Sequence, residues 1–177
     1  PGGVHADAFD TGASRREARR RLGWPTDRPI VVAVRRLARR MGLENLIDAV
    51  RLVRREIPGV CLYVAGKGPL KDELAARIAD RGLSDHVQLL GFVPEQDLPF
   101  VYRAADLSIV PTVALEGFGL ITVESLAAGT PVLVTPHGGL PETVATLDEN
   151  LILPGDTPSI LADGIVQSFR GSLSLPS

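Results

Sequence analysis

An α/β domain built on a doubly wound parallel sheet, Rossmann-like in plan, is the fold this sequence predicts. Short, almost wholly apolar runs recur along the chain, and segments with apolar residues spaced three and four apart alternate with them. The length, 177 residues, fits one domain with a full core. Strands covered by helices on both faces lack polar alternation, which is how these runs read.

The elements follow in order. Residues 1–28 stand apart as a lead-in segment. Asp10–Gly12 is turn-like, and Ser14–Gly23 reads as an Arg-rich peripheral helix capped by Ser14, with Glu17 at the capping-box position. The sheet domain is expected over residues 29–170. Its strands are Ile30–Val34, Val60–Ala65, Val87–Leu90, Leu107–Val110, Pro131–Thr135 and Leu151–Leu153. The first helix, Leu43–Glu56, carries Leu43, Leu46, Ile47, Val50 and Val53 on one face and is stopped by Pro58-Gly59. Further helices are expected at about Pro69–Arg81, Gln96–Ala105, Leu120–Ala128, Leu140–Thr146 and Ser159–Phe169. Residues 171–177 are Ser-rich and expected to fray.

Composition narrows the function. The net charge of −2 leaves no basic field for nucleic acid or an anionic membrane. Arginine outnumbers lysine 17 to 2, a bias that suits phosphates but also follows from base composition. Cys61 is the only cysteine, so no intrachain disulfide or cysteine metal cluster can form, and its apolar run reads as core. No apolar run reaches the ~18 residues that cross a bilayer, and no signal peptide opens the chain, so a cytoplasmic location is expected. The start, Pro1-Gly2-Gly3-Val4, lacks an initiator Met and reads as a cut from something longer.

Ligands of such sheets bind beyond the C-terminal ends of the strands, at helix N-termini. Four stretches lie there. Glu116-Gly117-Phe118-Gly119-Leu120-Ile121-Thr122-Val123-Glu124 follows the fourth strand: its glycines allow close backbone approach, and two carboxylates eight residues apart can accept bonds from sugar hydroxyls. A glycine-rich turn with solvated glutamates is the plainer reading. Arg35-Arg36-Leu37-Ala38-Arg39-Arg40-Met41-Gly42, after the first strand, is either a diphosphate clamp or a solvated loop. Gly66-Lys67-Gly68-Pro69 and Gly138-Gly139-Leu140-Pro141-Glu142 are either ligand-facing turns or simple connections, and His137 lies in the second of these loops.

Several classes are disfavoured. No P-loop and no G-x-S-x-G elbow is present, and the first βα turn holds arginines in place of G-x-G-x-x-G. No Asp-x-Asp is present to hold a divalent metal against a sugar diphosphate, and His5, His86 and His137 lack ligand spacing.

Taken in order, these motifs resemble the C-terminal, donor-binding domain of a family 4 retaining glycosyltransferase of the GT-B fold. The resemblance runs from about Gly3 to Ser168. It rests on Gly3-Val4, Arg36-Leu37 with Gly42-Leu43-Glu44-Asn45-Leu46-Ile47, Ala65 through Pro69, Gly91-Phe92-Val93, Glu116 through Glu124, Ala128 through Val132, and Gly138 through Glu142. It implies metal-independent sugar transfer from a nucleotide diphosphate sugar, without a cofactor. Glu124 would bind the ribose hydroxyls. Glu116 would face the transferred sugar, with Gly117 allowing close approach and Phe118, Gly119 and Leu120 offering backbone N–H groups. Gly66 and Gly68 would line the donor site, and Gly91, Phe92 and Val93 would lie against the base. Arg36 would offset the charge of the departing diphosphate.

The chain departs from the family where a Lys is usual and Met41 stands; either Arg40 supplies the second cation or leaving-group stabilisation is weaker. The resemblance further implies an N-terminal acceptor domain of similar size, through which alone a membrane would be reached, so this chain alone is expected to bind donor without completing transfer. A GT-B relative such as a sugar-nucleotide epimerase, or a non-catalytic sugar-nucleotide or partner-binding module, is the alternative. A phosphorylase would need a pyridoxal-bearing lysine, and neither Lys67 nor Lys71 occupies a recognisable site for one.

Overall fold

Five of the apolar runs pair as a single parallel sheet. The computed structural model describes residues 6–114 and 119–171. Its strands are β1 (Ile30–Val34), β2 (Cys61–Ala65), β3 (Val87–Gly91), β4 (Leu107–Val110) and β5 (Val132–Val134), in the order β3-β2-β1-β4-β5. The helices are α1 (Ala6–Phe9), α2 (Arg15–Leu22), α3 (Leu43–Glu56), α4 (Lys71–Asp80), α5 (Leu98–Ala104), α6 (Leu120–Ala127), α7 (Leu140–Val144) and α8 (Pro158–Phe169). The fold is thus the doubly wound α/β class that the alternating pattern predicts.

The missing polar alternation has a direct cause. On β1, Val31 and Ala33 enter one apolar cluster with α3, α4, α7 and α8, while Ile30 and Val32 enter a second cluster with α5. β2 divides the same way, Leu62 and Val64 to the first cluster and Cys61 and Tyr63 to the second. Burial pushes the Cys61 thiol up, away from the reactive thiolate.

The lead-in is bound to the second layer. Ser14 Oγ accepts from Glu17 N at 3.1 Å and opens α2. Arg19, 6% exposed, donates to Ala104 O at 2.7 Å and to Asp106 Oδ2 at 2.8 Å, and Asp106 Oδ2 also accepts from Ile30 N at 2.8 Å. Trp24 stacks on Tyr63 with centroids 4.0 Å apart.

Element boundaries shift where local bonds compete. α5 starts at Leu98, not Gln96, because Asp97 N bonds Pro94 O in a preceding turn. α4 starts at Lys71 because Leu70 N is taken by Leu37 O. The expected sixth strand, Leu151–Leu153, is a correction: residues Glu149–Leu151 form a 3₁₀ turn. Asp148 caps that turn through Asn150 N, and Pro154 has no N–H to extend a ladder. What survives is one parallel bridge, Val134 to Ile152, with Leu153 N bonding Val134 O at 2.8 Å.

Candidate functional site

The C-terminal ends of the strands converge on one rim of the sheet. Its strand order reverses at β1 and β4, where a doubly wound sheet opens its crevice. The loop after β1 is fastened on both sides of that point. Toward β2, Leu37 N bonds Lys67 O at 2.9 Å and Leu70 N bonds Leu37 O at 3.0 Å. Toward β4, Val113 N bonds Arg40 O at 2.9 Å. Gly66 has φ +143°, and a Cβ there would stand 1.9 Å from Arg35 O; a Cβ at Gly68 would stand 2.4 Å from Leu37 O. The glycines of this turn are therefore required by the approach of two backbones.

The four arginines after β1 divide by environment. Arg35 is 5% exposed; its Nη2 donates to Thr112 Oγ1 at 2.9 Å and lies 2.8 Å from Met41 Sδ. Arg39 bonds both oxygens of Glu73, at 2.7 and 3.1 Å, in an exposed pair. Arg36 and Arg40 are exposed, and among the described residues no hydrogen bond or ion pair holds their side chains. The arginine in contact with Met41 is therefore Arg35, a placement the sequence reading did not single out.

Between the ends of β2 and β3 lies a cleft of about 410 Å³. Leu37, Gly66, Lys67, Gly68, Gly91 and Phe92 line it, so four of the residues chosen from sequence meet there. Phe92 is 67% exposed, with Lys67 Nζ 5.1 Å from its ring centre. Val93 instead packs against the second apolar cluster, beside α5.

Glu124 lies on the second turn of α6, half-buried. Tyr102, from α5, donates its hydroxyl to Glu124 Oε2 at 2.9 Å. Burial raises the Glu124 pKa and the charge of Glu95 adds to this, while the Tyr102 bond opposes both. The phenol of Tyr102 is held well above its ordinary pKa by burial and by Glu124, so it remains a donor. Glu95 belongs to the same β3–α5 loop as Phe92 and Val93, and Ile121 of α6 packs on the cluster that Val93 joins. Glu124 and the cleft loop thus face a common region.

Gly119, at φ +72°, precedes α6, and Leu120 is its exposed first residue. Glu116, Gly117 and Phe118 lie outside the described residues. His137 Nε2 lies 2.7 Å from Asp156 Oδ2, so that ring is engaged within the fold. Tyr102 was missed from sequence because 22 residues separate it from Glu124 and it reads as one more residue of a core-facing helix. Among the described residues no three His, Cys, Asp or Glu side chains gather as a metal site, and no helix is long and apolar enough to cross a membrane.

The family model of glycosyl transferases group 1 matches residues 14–171. The chain belongs to this family. It is 35% identical over 176 residues to a GDP-mannose-dependent alpha-(1-6)-phosphatidylinositol monomannoside mannosyltransferase of Mycobacterium tuberculosis, covering 94% of this chain and 45% of that protein. It is 40% identical over 169 residues to a D-inositol 3-phosphate glycosyltransferase of Mycolicibacterium smegmatis, covering 92% of this chain and 37% of that one. The group 1 chain therefore spans less than half the length of these curated relatives.

Among solved structures, Anabaena Alr3699/HepE in complex with UDP and glucose matches with a TM-score of 0.82 at 26% identity, over 96% of this chain and 46% of that one. The C-terminal domain of a group 1 family protein from Francisella tularensis matches with a TM-score of 0.82 at 23% identity, over 96% of this chain and 89% of that one. That second likeness concerns the fold, which is the Rossmann-like half of the GT-B glycosyltransferases.

Proposed function

We propose that this chain is the donor-binding domain of a retaining, metal-independent glycosyltransferase that takes its sugar from a nucleotide diphosphate sugar. The observation that carries the reading is the pairing of a half-buried, tethered carboxylate with an open cleft on one rim of the sheet. A ribose offers vicinal hydroxyl donors, and Glu124 offers an acceptor already fixed by Tyr102. The base would enter the cleft against Phe92 and the backbone of Gly91, with Gly66 and Gly68 at its floor. A UDP-bound structural relative and a GDP-mannose-dependent sequence relative both support a nucleoside diphosphate, and they leave the base open.

Arg36 and Arg40 are exposed cations in the loop after β1, without the carboxylate partner that Arg39 has among the described residues. As the glycosidic bond breaks, negative charge grows on the leaving diphosphate, and a positioned guanidinium offsets it. Arg35, in the same loop, is buried against Met41 and Thr112. Glu116, Phe118, Gly119 and Leu120 would face the sugar and phosphates, as the E-x7-E resemblance implies. Retention and metal independence rest on that resemblance too. Recognition of the acceptor is assigned to further sequence, as in relatives more than twice as long, and any membrane contact would come through that part. A cytoplasmic location is proposed with it.

Calorimetric titration of the chain with UDP, GDP and ADP, each beside its monophosphate, tests this reading. Saturable binding of one nucleotide is expected, with Arg36→Ala weakening the diphosphate more than the monophosphate. Equal losses for both would remove the diphosphate role of Arg36, and no binding of any nucleotide would overturn the donor-site assignment.

A further inference from the structure

We propose that Tyr102 is a positioning residue of the donor site, holding one oxygen of Glu124 so that the other is presented to the ribose. The inference rests on the ribose role given to Glu124 above and adds the group that makes that role effective.

The geometry is closed from several sides. Tyr102 has no exposed surface, and its hydroxyl reaches from α5 across to α6, 2.9 Å from Glu124 Oε2. The backbone of Tyr102 is fixed in turn: Thr130 Oγ1 donates to its carbonyl at 2.5 Å. Thr130 is tied back to α6, because Ser125, the residue after Glu124, donates Oγ to Thr130 O at 2.9 Å and accepts from Thr130 N at 3.0 Å. Phe9 from α1 packs edge-on against the Tyr102 ring, with centroids 6.1 Å apart. The hydroxyl is therefore set relative to the very turn of α6 that carries Glu124. Among the described residues, Glu124 Oε1 takes no hydrogen bond.

A buried phenol needs an acceptor in any case, so stability alone would account for a bond. The choice of acceptor is what points further. Tyr102 bonds a carboxylate on the rim where the nucleotide is placed, and a long carboxylate side chain left free would have to be immobilised at each binding event. Tethering one oxygen removes that cost in advance. It also favours the ionised, accepting form of Glu124 against burial and against Glu95 on the β3–α5 loop. The charge of Arg35, the residue after β1, acts on the phenol in the opposite sense, lowering its pKa against burial and Glu124.

The test compares wild type, Tyr102→Phe and Glu124→Gln by calorimetry, using UDP and GDP beside their 2′-deoxy forms. For whichever nucleotide binds, Glu124→Gln should abolish most of the preference for ribose over 2′-deoxyribose. Tyr102→Phe should weaken affinity roughly 2- to 10-fold and shrink that preference. The acid-side loss of affinity should also move to higher pH in Tyr102→Phe, and be absent in Glu124→Gln.

A Tyr102→Phe protein that melts earlier yet keeps the wild-type ribose preference and pH profile overturns the positioning role and leaves the ribose assignment standing. A Glu124→Gln protein with unchanged affinity overturns both. Should Tyr102→Phe fail to fold, Thr130→Val keeps the hydroxyl but frees its backbone anchor. It should shift the ribose preference in the same direction, and an unchanged preference counts against the proposal.

Discussion

Glu124 is under opposed demands. Burial raises its pKa above the ordinary 4.5, so the folded chain holds the proton more tightly than the unfolded chain does. The linked stability is fully present below 4.5 and is lost as pH rises through the raised folded value. The ionised form of Glu124 is thus a cost to the fold and, in the ribose role proposed for it, the form that accepts from the ligand. Glu124→Gln should therefore raise the melting temperature slightly while weakening nucleotide binding by about 1–3 kcal/mol. Parallel thermal melts and titrations check this, and a variant losing both stability and affinity would argue for a structural carboxylate. Wild-type affinity should begin to fall on acidification at a higher pH than an unperturbed carboxylate would give. At this scale the sequence was only partly legible. Glu124 stood out by its spacing from Glu116, but the four arginines after β1 looked alike. Only the closure of their loop onto Thr112 and Glu73 separates a buried Arg35 and a paired Arg39 from the exposed Arg36 and Arg40. Tyr102 carried no signal at all, since its meaning depends on a contact between α5 and α6.

Among the elements, the β1 and β2 loops act as one unit, and Gly66 is one of their tightest points. A side chain there meets the backbone oxygen of Arg35, which cannot move without dragging β1. Gly66→Ala should cost about 1–3 kcal/mol through overpacking alone, with further strain from its backbone angle. Gly82, at φ +65° with nothing within 4 Å of its would-be Cβ, is the matching control. Gly82→Ala should cost only about 1–2 kcal/mol, the left-handed penalty. Denaturant midpoints compare the two, and equal losses would show that the loop contact is not tight in solution. Helices and strands were mostly legible because their apolar spacing is set by two-sided burial; α3 begins and ends where Leu43 and Pro58-Gly59 indicate. The sixth strand was not, because Leu151–Leu153 is as apolar as a strand while Asp148 and Pro154 dictate otherwise. α1, four residues long, has no periodicity to read.

At the scale of the molecule, sheet order turns scattered motifs into a site. Placing β1 at the centre sets its arginine loop between the glycine turn of β2 and the loop after β4, while Val93 of the β3–α5 loop and Ile121 of α6 pack on one apolar cluster. The order of strands was not read from the sequence. The function proposed for the chain is the binding of a nucleoside diphosphate at one rim of the sheet. The most direct test is a crystal structure of the chain grown with the nucleoside diphosphate that binds it. Ribose hydroxyls within hydrogen-bond distance of Glu124, base in the cleft beside Phe92 and diphosphate against Arg36 are the expected result. A nucleotide bound elsewhere on the surface, with Glu124 untouched, would contradict the account.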